Sequence, residues 1–270
     1  MNSTGSYENT VPAEVTEGLP LRDRPLNEVE LEVLRLILSS YRDGSGQNVV
    51  KTTGESMPGF RDFERAMATV VKGTTTENKG IFDVIVPAEP LPYGLSCKMA
   101  KMQAARTKSS FMEMANPAAK FNTHLASQYI NWVTEPTLAG PAIIELVTSW
   151  HSAEASGIDL SGSRYVILSH KNFTLFQLSS FPLDLKIADP KEIEWVAGSR
   201  ALRGYIDDDG RRHKLWECYL QSGGQLKYYP LLEWAVWVSE PFTLELPPPM
   251  ALARRAREYF PDLWPTEWTN

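Results

Sequence analysis

The sequence predicts an α/β fold in which a mixed central β-sheet is flanked by helices. Segments with apolar residues at helical spacing occur along the chain with short runs of Val, Ile, Phe and Tyr that end at Gly, Pro, Asn or Asp. The last third of the chain is richer in such runs than the first part. With 270 residues, of which 43% are hydrophobic, the chain can bury a sizeable core.

The first elements are an arm and two helices. Residues 1–24 are polar and contain Pro, Thr and Glu without a period, so they are expected to form a flexible N-terminal arm. Asn27 is expected to cap a helix that runs to about Tyr41 with a broad apolar face. Residues 61–73 predict a second, amphipathic helix that ends at a glycine. We expect residues 25–270 to form a single domain.

Two strands separated by a turn follow the second helix. Residues 80–86 predict an apolar strand that carries one carboxylate, Asp83, and the predicted strand after the turn ends in Ser-x-Lys. Because side chains alternate faces along a strand, Ser96 and Lys98 point the same way while Cys97 points into the core. If the two strands are neighbours, Asp83 and Lys98 converge and the Cys97 carbonyl group lies near them.

The partner of Asp83 is expected to be a divalent metal ion. A lone carboxylate among Ile, Phe and Val is costly unless something compensates its charge. The Asp83 carboxylate and the Cys97 carbonyl suit a hard cation such as magnesium, and the Lys98 ammonium group can orient or deprotonate a water bound to that ion. These residue types indicate phosphodiester hydrolysis. The structural alternative is that Asp83 caps a turn or pairs with Lys79, and that Lys98 is a solvated charge.

The order of these residues resembles the PD-(D/E)XK nuclease superfamily, and more narrowly the type II restriction endonucleases in which Ser replaces the second acid. The pattern reads Asp83, a gap of twelve residues, and then Ser96, Cys97 and Lys98. Two departures are present, because no Pro precedes Asp83 and Ser96 is a poor metal ligand. The resemblance implies a restriction-endonuclease-like fold and a Mg²⁺-dependent, site-specific endonuclease that acts on double-stranded DNA.

The resemblance also implies two acids outside the strands. Residues 109–133 predict a long helical region interrupted near Pro117, and Glu113 in it lies where the Ser-x-Lys branch carries a Glu that supplies the missing charge. Glu64, on the helix before the strands, matches a family Glu that reaches the metal, often through water, and Glu55 competes for this role. The implied metal ligands are Asp83, Cys97 and Glu113, and the implied catalytic residues are Asp83, Ser96, Lys98, Glu64 and Glu113.

The rest of the chain adds a helix and several strands. Residues 136–155 predict another helix, and residues 164–170 and 173–178 predict two strands joined by a tight turn, which could extend the catalytic sheet. Residues 192–246 are strand-rich, with Asp-rich and Gly-rich turns between the strands. We expect this part to read DNA or to form a dimer interface.

Candidate DNA contacts carry the donor groups that bind phosphates and base edges. Those in the strand-rich part are Arg200, Arg203, Arg211, Arg212, Gln225 and Lys227, and those just beyond the Ser-x-Lys strand are Arg106, Lys108 and Lys120. The alternative for the first group is a solvated hairpin edge whose charges discourage strand pairing. The formal net charge of −6 does not decide whether the protein binds DNA, because a local cationic cleft is sufficient for a site-specific nuclease.

Composition excludes several classes of protein. No apolar run approaches the roughly 18 residues of a membrane span, and the N-terminus lacks a signal-peptide pattern, so we expect a cytoplasmic protein without a membrane partner. The two cysteines, Cys97 and Cys218, lie far apart and suggest neither a disulfide framework nor a zinc site.

The sequence leaves the assembly and two other functions open. A palindromic DNA target would be matched by a two-fold homodimer or a higher homo-oligomer. One alternative function is a non-sequence-specific or repair nuclease of the same superfamily. The other is a catalytically silent DNA-binding module that keeps only the fold.

Overall fold

The computed structural model describes eight stretches of the chain: residues 17–76, 80–104, 108–115, 118–153, 157–183, 192–221, 224–248 and 252–266. Its α-helices in these stretches are α1 (Glu28–Ser40), α2 (Phe60–Val70), α3 (Ala118–Ser127), α4 (Pro136–Ala153) and α5 (Leu252–Tyr259). Within the same stretches, no helix is long and apolar enough to cross a membrane.

The strands are short at the start of the chain and longer in its second half. They are β1 (Asn48–Val49), β2 (Ser56–Met57), β3 (Thr74–Thr75), β4 (Val84–Val86), β5 (Tyr93–Lys101), β6 (Met112–Ala115), β7 (Arg164–Lys171), β8 (Leu175–Pro182), β9 (Glu194–Ala197), β10 (Ala201–Asp208), β11 (Arg211–Tyr219), β12 (Leu226–Tyr228) and β13 (Trp237–Val238). The chain is therefore a mixed α/β protein, as the sequence predicts.

The larger sheet has six strands in the order β13-β8-β7-β5-β4-β3. Strands β5 and β7 are parallel, and the other neighbours are antiparallel, so the sheet is mixed. Leu95 to Lys101 of β5 lie opposite Arg164 to His170 of β7. The prediction that β7 and β8 extend the sheet that carries the Ser-x-Lys strand is confirmed.

Apolar layers cover both faces of this sheet. Along β7, Val166 and Leu168 belong to a core shared with α1 and α2, whereas Tyr165 and Ile167 belong to a second core. The second core also contains residues of α3, α4 and the strands after β8. This alternation follows from the two-residue period of a strand, and it explains why β7 is a nearly continuous apolar run.

The strand-rich part forms a second, antiparallel sheet of five strands in the order β6-β12-β11-β10-β9. The predicted helical region over residues 109–133 is wrong in its first part, because Met112 to Ala115 form β6 at the edge of this sheet. Met112 is fully buried and lies opposite Tyr228, while Glu113 lies opposite Lys227. Pairing with β12 thus overrides the local helical spacing, and a helix forms only from Ala118.

The first residues that the structure describes are packed more tightly than predicted. Asn27 caps α1 with a capping box that includes Glu30, as its position predicts. The expectation of a flexible arm up to residue 24 is wrong for residues 17–24. There, Leu21 is 4% exposed in the core with α1 and α2, and the Pro20 carbonyl accepts a 2.6 Å hydrogen bond from the Tyr93 hydroxyl.

Candidate functional site

Asp83 and Lys98 meet at one end of the β4–β5 pair. Asp83 lies one residue before β4, and its Oδ2 accepts hydrogen bonds from Lys98 Nζ at 3.0 Å and from the Cys97 amide at 2.7 Å. The two side chains are 23% and 24% exposed, so the pair opens to solvent. The structure therefore brings together the two residues on which the predicted site depends.

The backbone register sets this meeting. Strand β4 pairs with β5 through Val84 and Leu95, and the Asp83 amide donates a 2.9 Å hydrogen bond to the Leu95 carbonyl. The next residue of β5 whose amide and carbonyl groups face this edge is two positions on, at Cys97. Because Asp83 lies just before β4 begins, its side chain takes the place of a backbone partner for the Cys97 amide.

Cys97 presents backbone groups to the site and keeps its thiol in the core. The amide and the carbonyl of a strand residue face the same edge of the strand, so the Cys97 carbonyl also faces the Asp83 side. The side chain is 3% exposed, and burial raises the pKa of the thiol well above its ordinary value, with the charge of Asp83 adding to this effect. A thiolate nucleophile at this position is therefore disfavoured.

Glu64 lies on α2, which packs against the two strands. Phe63 and Met67 anchor this helix in the core that it shares with β4 and β5, and Glu64 is half-buried. The pKa of the Glu64 carboxyl is raised, first by burial and then by the charge of Asp83, while Lys98 opposes the rise. The charges of Glu64 and Asp83 therefore oppose each other, and a bound cation would relieve this repulsion.

The other acids proposed from the sequence lie elsewhere. Glu113 is on β6 of the second sheet, where its Oε2 accepts a 3.3 Å hydrogen bond from Gln225, so the helical position expected for it is wrong. Glu55 is in the loop after β1 and forms a 3.4 Å ion pair with Arg42. Ser96 is on the same face of β5 as Lys98 by strand alternation, and it is 2% exposed.

The oxygen donors at this strand end fit magnesium better than a metal that needs a full set of protein ligands. In the stretches that the structure describes, no three His, Cys, Asp or Glu side chains are grouped to hold a metal ion. Magnesium, however, is commonly held by one or two carboxylates together with water and substrate phosphates. Asp83, Glu64 and the Cys97 carbonyl are hard oxygen donors of this kind.

Most candidate DNA contacts of the second sheet have partners inside the protein. Arg203 donates to Glu217 at 2.8 Å, and Arg212 forms two 2.9 Å hydrogen bonds with Glu194. Lys227 lies over the rings of Phe111 and Tyr219, and Gln225 bonds to Glu113. Arg200 is exposed in the turn before β10, whereas Lys120 lies over the Trp150 ring and Arg106 is outside the described residues.

Three of the predicted contacts line one cleft of about 840 Å³: Lys108, Arg211 and Arg212. The sequence did not single out Lys214 as a contact, although it lies in the same strand, and it also lines this cleft. Acids are present as well, including Asp208 and Asp209 at the tip of the β10–β11 hairpin. Gln103 lines the cleft five residues after Lys98, so the two Cα atoms are at most about 18 Å apart.

No family model, curated protein or solved structure matches this chain. The assignment of a function therefore rests on the residue pattern and on the geometry of the site.

Proposed function

We propose that this chain is a magnesium-dependent endonuclease that hydrolyses double-stranded DNA at a specific short sequence, with a restriction-endonuclease-like fold of the type II kind. The single observation that carries the proposal is the 3.0 Å contact between Asp83 and Lys98. These residues are fifteen positions apart in the chain, and both belong to the pattern on which the resemblance rests.

Asp83, Glu64 and the Cys97 carbonyl would hold the magnesium ion. When bound, the ion supplies charge stabilisation at the phosphate and lowers the pKa of a coordinated water. Glu64 takes the role that the resemblance gave to Glu113, because Glu113 lies on β6 of the second sheet whereas Glu64 lies on α2, which packs against β4 and β5. Glu64 thus supplies the second negative charge of the site, because Ser96 stands where the family has its second acid.

Lys98 would position the attacking water. Its ammonium group has three N–H donors, of which one bonds to Asp83, so two remain for the water and for a phosphate oxygen. The water oxygen forms a bond to phosphorus in line with the P–O bond that breaks. The water gives up one proton to solvent, and the leaving oxygen takes up one proton from solvent, so the step balances. Asp83 holds Lys98 in place for this step.

The cleft lined by Lys108 and Arg211 would receive the DNA beside the cleavage site. The Cα atom of Gln103, which lines this cleft, is at most about 18 Å from that of Lys98. This distance is about five nucleotide steps of 3.4 Å, so one duplex can reach both the cleft and Lys98. A palindromic target would require two copies of the chain related by a two-fold axis, and a homodimer is part of the proposal. The cytoplasm is the proposed compartment.

One observation favours a second candidate, a nuclease of the same superfamily that does not read sequence. Arg203 and Arg212 are occupied by Glu217 and Glu194, which leaves fewer donors in the second sheet for base edges. Mapping the ends of a digested DNA of known sequence separates the two, because a site-specific enzyme gives discrete fragments and a nonspecific one gives a continuous distribution.

Replacing Lys98 tests catalysis directly. We expect Lys98→Ala to lower the rate of plasmid cleavage in magnesium by about 10²–10⁴-fold, the usual contribution of a group that positions or transfers protons. Binding of DNA should persist. The matched control is Lys101→Ala, which removes an exposed lysine from the same strand and should leave cleavage unchanged. Cleavage by Lys98→Ala at the rate of the unaltered protein would refute the assignment, and metal-independent DNA binding without cleavage would indicate the silent module.

A further inference from the structure

One row of side chains crosses all five strands of the second sheet on the face that points away from the core. Val196 of β9 lies opposite Arg203 of β10, and Arg203 lies opposite Glu217 of β11. Glu217 lies opposite Lys227 of β12, which lies opposite Glu113 of β6. Their neighbours along the strands belong to the core: Trp195, Leu202, Trp216, Cys218, Leu226 and Met112. By strand alternation, these five side chains, the outer row, lie on the opposite face.

Charge alternates along the outer row. From β10 to β6 it reads Arg203, Glu217, Lys227 and Glu113, two cations and two carboxylates. The two ends are open to solvent, because the Arg203 side chain is 38% exposed and Glu113 is exposed. A surface that binds nucleic acid carries an excess of cations. The balanced charge of the outer row therefore favours a protein partner.

The contacts within the chain fix the centre of the row and leave its ends able to bond. The buried Glu217 carboxylate accepts 2.8 Å hydrogen bonds from Arg203 Nε and from Lys214 Nζ. Within the described residues, Arg203 bonds to Glu217 through Nε, so its two terminal NH₂ groups remain as donors. At the other end, the Glu113 carboxylate accepts a long hydrogen bond of 3.3 Å from Gln225.

Aromatic rings lie beside Lys227 in this row. The Lys227 ammonium group is 5.1 Å from the centroid of the Tyr219 ring and 5.5 Å from that of the Phe111 ring. Both rings belong to half-buried residues. Aromatic side chains of this kind are enriched in protein–protein interfaces.

The outer row is complementary in charge to a second copy of itself. A two-fold axis parallel to the strands, between β11 and β12, reverses the row and places it over its copy. Arg203 then faces Glu113 of the second copy, and Glu217 faces Lys227 of the second copy, so all four charges meet opposite charges. An axis that passes through β11 would place Glu217 over its own copy, and one through β12 would do the same for Lys227. Charge therefore selects the axis between the two strands.

We propose that the outer row is the surface through which two copies of this chain form a two-fold dimer, with Arg203 of each copy bonded to Glu113 of the other. This inference rests on the proposed function, which includes a homodimer without saying which surface forms it. An axis parallel to the strands keeps the same end of both sheets together. The clefts lined by Lys214 would then lie at one end of the dimer, where one duplex could reach both.

Self-association tests this proposal. Sedimentation equilibrium of the full-length chain at several concentrations should show a dimer, and KCl should weaken it because the ion pairs between copies are near the surface. Glu113→Gln removes both symmetry-related pairs and should raise the dissociation constant of the dimer by about 2–30-fold, the effect of two surface ion pairs. Glu113→Arg should raise it further, because it places like charges together.

Glu240→Gln is the matched control, because it removes the charge of an exposed acid outside the second sheet. A monomeric unaltered chain, or a dissociation constant that is the same in the Glu113 variants and the control, would overturn the proposal and leave hydrolysis at Asp83 and Lys98 standing. A dimer weakened by the Glu113 variants, in a protein that never cleaves DNA, would support the interface and refute the nuclease assignment. Thermal unfolding of each variant verifies that it is folded.

Discussion

At the scale of single residues, Asp83 and Lys98 matter more for catalysis than for the stability of the fold. The Asp83–Lys98 ion pair is partly open to solvent, so it contributes at most about 1 kcal/mol to folding. Loss of either side chain should therefore impair catalysis more than folding. The meeting of Asp83 with Lys98 follows from strand alternation together with the pairing of β4 with β5, and the burial of Cys97 follows from alternation. The position of Glu113 does not follow from alternation, because it depends on a pairing partner more than a hundred residues away.

Glu64 gives a pH-dependent prediction. A carboxyl group binds a cation only after losing its proton, and burial raises the pKa of Glu64 above its ordinary value. Magnesium affinity should therefore rise with pH through a range that extends above the usual titration of Glu, and Glu64→Gln should remove that part of the rise. We expect about 10–100-fold weaker magnesium binding in the variant. The measurement is the magnesium-induced shift in unfolding temperature at several pH values between 4 and 7.

The control for this experiment is Glu55→Gln, which changes the competing acid that is paired with Arg42. If Glu64→Gln binds magnesium with the same affinity and the same pH profile as the unaltered protein, Glu64 is not a ligand of the ion.

At the scale of elements, the β4–β5 pair and α2 position the site, and both follow the sequence closely. The apolar alternation of β5 and the helical spacing of α2 are local signals, and both elements form there. However, α2 ends at Val70 rather than at Gly73, and β5 continues beyond Lys98 to Lys101. Strand β6 shows the limit of such signals. Its residues have helical spacing with those that follow, but burial of Met112 against β12 stabilises an extended conformation that no local pattern reveals.

Gly94 determines how closely the start of β4 approaches β5. A Cβ atom at Gly94 would overlap atoms of the ring of Phe82, which directly precedes Asp83. Gly94→Ala should therefore destabilise the protein by about 1–3 kcal/mol through overpacking and should also displace Asp83. Thermal or denaturant unfolding measures the first effect, and magnesium-dependent cleavage measures the second.

Phe82→Leu provides the matched test of that contact. If the ring is the obstacle, the double variant should be less destabilised than the sum of the two single changes. Additive effects, or a Gly94→Ala protein as stable as the unaltered chain, would show that the contact does not constrain the strand pair.

At the scale of the whole molecule, two sheets share one apolar core around α3 and α4. Residues from both sheets, including Ile167 and Trp216, belong to that core. The strand-rich composition of residues 192–246 predicts strands, and they form, but it cannot say that they build a separate sheet with β6 as an edge. That arrangement places Lys108 and Arg211 in one cleft, which is the feature of the candidate DNA interface that the sequence did not reveal.

The central claim is that Asp83 is a ligand of the ion that supports DNA hydrolysis. The most direct measurement is the single-turnover cleavage rate of an end-labelled duplex over a magnesium titration, with the unaltered chain, Asp83→Asn and the exposed-acid control Asp262→Asn. The account predicts a rate that rises with magnesium and saturates for the unaltered chain and the control, and no saturable cleavage for Asp83→Asn. Equal magnesium-dependent rates for all three proteins, or no cleavage by the unaltered chain at any magnesium concentration, would contradict it.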